Sequence, residues 1–154
     1  MRITVCAVGR MRDAHERALF DTYRDRAAAL GRSLGITSVA LAEIDPRPDA
    51  AREAEAIRAA LPPGAALVVL DETGRNRTSR DLAAWIEAEK DAGTRDIVFA
   101  IGGADGHGPA LRAAARETLS LGAMTWPHML ARIMLMEQIF RAISILARHP
   151  YHRD

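Results

Sequence analysis

Apolar and polar positions alternate in blocks along this chain, and the period changes from block to block. Ile3–Val8 (ITVCAV) is a nearly continuous apolar run ended by Gly9, the pattern of a short buried strand. From Asp13 to Leu30 the apolar residues Ala14, Ala18, Leu19, Tyr23, Ala27 and Leu30 recur at three and four with charges between them, which predicts a helix broken by Gly31 and Gly35. Ile36–Ile44 is a second strand, turned by Asp45-Pro46-Arg47-Pro48. The Ala-rich stretch Asp49–Leu61 is helical and closed by Pro62-Pro63-Gly64. Ala66–Leu70 (ALVVL) is a third strand, and Asp71–Gly74 a polar loop. Ser79–Ala92 is a helix with Leu82, Trp85 and Ile86 on one side. Ile97–Ile101 is a fourth strand, Gly102–Pro109 a glycine-rich turn, Pro109–Glu117 a short helix and Leu119–Leu121 a very short fifth strand. Strands that are apolar throughout fit a sheet covered on both sides. Strand–helix alternation makes the fold class α/β, with a mostly parallel sheet and helices on both faces. No repeat, low-complexity tract or linker interrupts the pattern, so residues 1–154 read as one domain, long enough to bury roughly 70% of the unfolded chain's surface.

The last block is the most distinctive. Pro127 suits the first turn of a helix of roughly twenty residues, where no donor is needed, and Pro150 cannot continue it. Thr125 is placed to cap free amides at its start. Leu130, Ile133, Met134, Leu135, Met136, Ile139, Phe140, Ile143, Ile145 and Leu146 point in nearly every direction. Only a thin strip, Glu137, Arg141, Ser144 and Arg148, is polar, with Glu137 one turn before Arg141 as an ion-pair partner. A helix apolar on so much of its circumference must be covered, and the third apolar face points to a partner chain.

Composition narrows the function classes. The chain is 49% hydrophobic and 27% charged, and its 21 basic and 20 acidic residues leave a net charge of +1. No global field draws it to nucleic acid, so binding of that kind needs a local patch. The lone Cys6, inside an apolar run, excludes an internal disulfide framework and a cysteine-rich metal site, and reads as an inert buried thiol. No signal-peptide pattern or membrane-length apolar stretch is present, which makes the cytoplasm the expected compartment.

In open α/β sheets ligands gather beyond the carboxyl ends of strands. Three loops compete for that place: Asp71–Thr78, Gly102–Pro109 and Leu121–Trp126. Four glycines between Gly102 and Gly108 allow close backbone approach to a ligand, or simply a tight turn. Neither a phosphate loop nor a dinucleotide fingerprint is present. The small, apolar Leu121–Trp126 segment suits a flat heteroaromatic ring, or ordinary core packing. No nucleophile–base pair stands out, and the five histidines form no metal-ligand spacing. Arg75, Arg77 and Arg80 form a local basic cluster. The tail from Arg148 to Arg153, with Tyr151, His149 and His152, is either a frayed end or an anion-contacting tip.

Four segments taken together carry a resemblance: VVLDETG at Val68–Gly74, FAIGGADG at Phe99–Gly106, LSLGAMTWPHMLARIMLMEQIFRA at Leu119–Ala142, and the tail HPYHRD. The chain resembles, over essentially its whole length, the bacterial ribosomal RNA large subunit methyltransferase H family, of the SPOUT class of S-adenosylmethionine-dependent RNA methyltransferases. The resemblance implies a SPOUT-type α/β knot, a trefoil in the C-terminal half that departs from the rule against threaded loops. It implies a homodimer with the last helix in its interface. It also implies S-adenosyl-L-methionine held at Leu70, Gly102, Leu121, Gly122, Ala123, Met124, Thr125 and Trp126, with no metal. The implied reaction is methylation of N3 of a pseudouridine in 23S ribosomal RNA, on the assembled ribosome. His107 stands where the family pattern has an apolar Leu, Trp126 where Phe or Leu is commoner, and Met129 where Gln or Pro is frequent.

A sulfonium donor is already activated, so alignment of the acceptor nitrogen and exclusion of water carry the chemistry. The imide N–H must lose its proton, which calls for a base or an anion stabiliser. His152 and Tyr151 are the candidate bases, Arg141 or Arg132 the stabilisers, with the tail reaching a partner's site. Asp105 is placed either to meet the cofactor's amino end or to cap a turn. His128 and Arg132 read as a structural pair at the dimer seam. RNA contact is expected from Arg75, Arg77, Arg80 and the tail. The rival readings are a non-catalytic ribosome-associated or nucleotide-binding module, and a SPOUT enzyme acting on transfer RNA.

Overall fold

The computed structural model describes residues 1–103 and 106–152. Strands β1 (Arg2–Val8), β2 (Ser38–Ile44), β3 (Ala66–Asn76), β4 (Asp96–Ile101) and β5 (Glu117–Ser120) form a sheet in the order β2-β1-β4-β3-β5. Every neighbouring pair is parallel. Helices α1 (Ala14–Gly31), α2 (Ala50–Ala60), α3 (Ser79–Asp91), α4 (Pro109–Ala114) and α5 (His128–Leu146) link and cover the strands. Local chemistry sets their starts: Asp13 accepts from the His15 and Glu16 amides ahead of α1, and Thr78 and Asp81 form a reciprocal capping box on α3.

The continuous apolar strands become two cores. Ile3, Val5, Val68, Ile97 and Phe99 face α1, α3 and α5, where Phe20, Ile86, Leu135, Met136 and Ile139 meet them. The alternate residues Cys6, Val8, Leu67, Val69, Val98 and Ala100 face α2 and α4, with Ala54, Ile57 and Leu111. Side chains alternate across a strand, so both sets must be apolar when both faces are covered. Cys6 is buried on the second face, and desolvation pushes its thiol up to about 11.

Several boundaries differ from the pattern-based reading. β3 does not end at Leu70 but runs on to Asn76 beside β5, with its register shifting between Leu70 and Arg75. The polar stretch from Asp71 to Gly74 is therefore the bulged part of a strand, and polarity had disguised it as a loop. A Cβ on Gly74 would lie 2.8 Å from the Leu119 carbonyl carbon, so only glycine lets the bulge lie on β5. A paired fork from Arg77 to Glu117, its Nη2–Oε2 arm 2.7 Å, ties the far end. The short helix stops at Ala114 rather than Glu117, because the extended Ala115 leads the chain to the Arg116 amide bond on the Leu67 carbonyl, and Glu117 opens β5. At α5, Pro127 occupies the capping position with no side-chain cap from Thr125. The helix ends at Leu146, well before Pro150, where the left-handed Arg148 lets the His149 amide close on the Ser144 carbonyl.

α5 lies between α1 and α3 above β1, so its own chain covers most of its circumference. What stays open is Leu130, 43% exposed, and a groove of about 680 Å³ bounded by Leu19, Tyr23, Ile133, Met134, Glu137 and Gln138. Two flanking helices and the sheet cover much of the apolar circumference within the chain itself. Among the described residues no helix is long and apolar enough to cross a membrane.

Candidate active site

Parallel pairing brings the carboxyl ends of β4 and β5 to one edge, where they and the bulge of β3 enclose a cavity of about 370 Å³. Leu70 and Gly102 line it from β3 and β4, and Leu121, Gly122, Met124, Thr125 and Trp126 from the segment after β5. Ala123, named with them in the sequence reading, is exposed and does not line it. Met124 is 72% exposed and Trp126 38%, which leaves an apolar flap at the rim. Gly122, at φ 112°, turns the chain there while its amide donates to the Ser120 hydroxyl at 3.2 Å.

The glycine turn is satisfied from within. The Gly102 amide donates to His107 Nε2 at 3.0 Å, the Gly103 amide to Glu53 Oε2 at 3.1 Å, and the Gly106 amide to the Gly103 carbonyl at 3.1 Å. A Cβ on Gly102 would stand 2.7 Å from the Gly106 carbonyl oxygen, so the first glycine is a steric requirement of the turn. Asp105 lies outside the described residues. Asp71 and Glu72 stand on the β3 side. Burial pushes the Asp71 carboxyl up, but the Thr73 hydroxyl and amide, together with Arg112 at 2.7 Å, outweigh it and hold it below the usual range. Three turn amides are already used, and on the facing wall Arg112, which also lines the cavity, is paired with Asp71. Among the described residues no group of three or more His, Cys, Asp or Glu is placed to hold a metal.

His107 is buried, and because its Nε2 accepts, its proton belongs on Nδ1. Desolvation lowers its pKa, against an opposing pull from Asp71 and from the Ala100 and Leu70 backbone. A lowered value in the fold means that the neutral, accepting ring persists below the ordinary pKa of about 6.5 and is lost only as the pH falls through the lowered folded value. Affinity for a ligand in this cavity, followed by calorimetry in a pH series, is therefore expected to stay flat through about pH 6.5 and to fall only at more acid pH. His107→Leu is expected to flatten that decline. An equal decline in the Leu variant would count against this role.

The catalytic candidates do not gather at the cavity of their own protomer. Arg132 is fully buried and donates to the Gly9 carbonyl at 2.9 Å and to the Val8 carbonyl, with Glu43 3.7 Å away. It closes the end of β1, a scaffold role that its reading as a structural pair with His128 did not reveal, and it is bound there rather than to His128. His128 instead lines the cavity. Arg141 binds Glu137 as the spacing predicted, at 2.6 Å. Its guanidinium lies 5.0 Å from the centre of the Tyr151 ring. Tyr151 packs on Phe140 and donates to Glu137 Oε1 at 2.9 Å. Burial and the Glu137 carboxylate push its phenol upward, so in this setting it is a donor and not a base. His152 Nδ1 is buried with no hydrogen-bond partner among the described residues. Sequence reasoning missed Glu53 and the structural side of His107, since neither sits in a motif whose chemistry is local.

Comparison with known proteins places this geometry. The family described as "Predicted SPOUT methyltransferase" matches residues 1–152. Ribosomal RNA large subunit methyltransferase H of Cereibacter sphaeroides (strain KD131 / KCTC 12085) is 50% identical over 155 residues, 99% of each chain. The protein of the same name from Paracoccus denitrificans (strain Pd 1222) is 49% identical over 156 residues, 100% of each. The SpoU methyltransferase AviRb from Streptomyces viridochromogenes, crystallised with AdoMet, is a distant likeness: TM-score 0.43 and 20% identity, over 90% of this chain and 56% of that one. Matched from end to end by relatives at about 50% identity, the chain belongs to the ribosomal RNA large subunit methyltransferase H family of SPOUT methyltransferases.

Proposed function

We propose that this protein transfers a methyl group from S-adenosyl-L-methionine to N3 of a pseudouridine in 23S ribosomal RNA, acting on the assembled ribosome in the cytoplasm as one domain that works as a homodimer. The observations that support the donor assignment are the turn amides already used within the protein and the apolar flap of Met124 and Trp126 at the rim of the cavity. That lining fits a sulfonium ion, an ammonium group and a flat purine, and disfavours a phosphate. It is the ground for preferring a methyl donor over the nucleotide-binding rival.

When bound, the donor supplies an activated methyl that needs no covalent intermediate. Leu70, Gly102, Leu121 and Gly122 fix its position, while Met124, Thr125 and Trp126 cover it and exclude water. The acceptor proton must leave, and His152 is the group assigned to take it, with Arg141 stabilising the charge that develops. Tyr151 anchors the tail through Glu137. The tail lies apart from the cavity within one protomer, which supports a composite site in which the partner's tail completes it. The open groove along α5 and Leu19 is the surface for that pairing. RNA contact rests on fewer arginines than their number implies: Arg77 is committed to Glu117, which leaves Arg75 exposed on the bulge beside it. Such a modest field fits recognition of ribosome shape.

Isothermal titration with S-adenosylmethionine and with ATP separates the readings. Uptake of the methyl donor and none of ATP is expected, and the reverse order would overturn the assignment.

A further inference from the structure

Glu53 belongs to α2, on the far side of the sheet from α5, and its carboxylate is nevertheless buried, at 8% exposure. It reaches across to the glycine turn, where Oε2 accepts the Gly103 amide at 3.1 Å. Its other oxygen accepts the Arg47 amide at 3.4 Å, from the segment that follows β2. The fit is tight: a Cβ on Gly103 would lie 2.6 Å from Oε2 and 2.8 Å from Oε1. A side chain at Gly103 would therefore displace the Glu53 carboxylate from its place. His107 holds the adjacent Gly102 amide, so two consecutive amides are each occupied by a side chain of the same chain.

We propose that Glu53 is a positioning residue for the donor site. It holds the glycine turn against the β2–α2 segment and keeps the Gly103 amide from the ligand. This inference rests on the reading of the cavity as the S-adenosylmethionine site. A buried carboxylate accepting two amides from separate segments fixes both, and removing it frees an amide to point at a cationic ligand, the wrong polarity. Glutamine retains one accepting oxygen but turns an N–H₂ toward the other amide, so it preserves half of the arrangement.

The test is calorimetric titration of the full-length protein with S-adenosylmethionine, with folding checked by circular dichroism. Glu53→Ala is expected to weaken uptake about tenfold or more and Glu53→Gln less, while methyl transfer at saturating donor stays within about threefold, a loss in KM and not in kcat. Asp96→Asn breaks a remote ion pair with Arg2 at the opposite end of the sheet. It is expected to lower the melting temperature with no change in donor affinity, which a purely structural role for Glu53 would not distinguish from the Glu53 variants. A folded Glu53→Ala protein with wild-type affinity overturns the inference alone. Wild type that takes up no donor overturns the reading of the cavity, and the inference with it. If the Glu53 variants do not fold, hydrogen exchange of the wild type decides: donor binding must slow the Arg47 amide together with that of Gly103, and an unchanged Arg47 amide rejects the clamp.

Discussion

Replacing Arg132 with leucine is expected to unfold the protein roughly 6–20 °C earlier than the parent, the largest stability loss available to a single substitution on α5. The side chain is fully buried, and its two Nη groups satisfy the carbonyls of Val8 and Gly9, where β1 leaves the sheet. Glu43 stands beside it and also accepts from Arg17 at 2.9 Å and from the Met11 amide at 2.7 Å. Desolvation lowers the guanidinium pKa, but Arg titrates so high that it stays charged, and Glu43 opposes the shift. Removing one partner from such a buried charged set costs about 3–5 kcal/mol, because the groups left behind are unpaired. At about 2–4 °C per kcal/mol for a chain of this size, the melting temperature moves by the amount stated. A thermal melt followed by circular dichroism checks it. A shift below about 3 °C would mean that β1 closes without this residue and would reopen a direct chemical role for Arg132.

Removing Tyr151–Asp154 is expected to leave S-adenosylmethionine uptake near normal and to cut methyl transfer by about a hundredfold or more, the scale of a lost general base with its oriented support. The two effects separate because no described tail residue lines the cavity of its own protomer. Tyr151 is held to Glu137, Phe140 and Arg141, and this anchor fixes where the chain beyond it emerges. Steady-state transfer to ribosomes, measured beside calorimetric donor titration, gives both numbers. Parental turnover in the truncated protein would reject the tail as part of the chemistry. Loss of donor binding would mean that the tail shapes the cavity instead.

Much of this was legible in the sequence because it depends on local pattern. Apolar runs such as Ala66–Val69 and Ile97–Ile101 can only be strands covered twice, and the residues just after them, Leu70 and Gly102, must then sit at one edge with Leu121 and Gly122. The polarity of the bulge from Asp71 to Gly74 hid a strand, since the pairing of β3 with β5 is a tertiary fact. The same limit applies to charge. Arg132 and Arg141 lie on the same helix, yet one is swallowed by the end of β1 and the other stays with Glu137, as i,i+4 spacing alone foresees. Glu53 lies 50 positions from the glycine it holds, in a helix whose sequence reads as an ordinary amphipathic cover. Apolar count on α5 argued for a partner on a third face; α1 and α3 cover two sides, and Leu130 and the groove near Leu19 and Met134 stay open.

The most direct test of the account is transfer of a labelled methyl group from S-adenosylmethionine to intact ribosomes, followed by nuclease digestion and mass spectrometry of the 23S RNA and transfer RNA pools. The account predicts a single methylated pseudouridine in 23S RNA, carrying its label on N3. Label confined to transfer RNA, label on another atom, or no transfer by protein that binds the donor would contradict it.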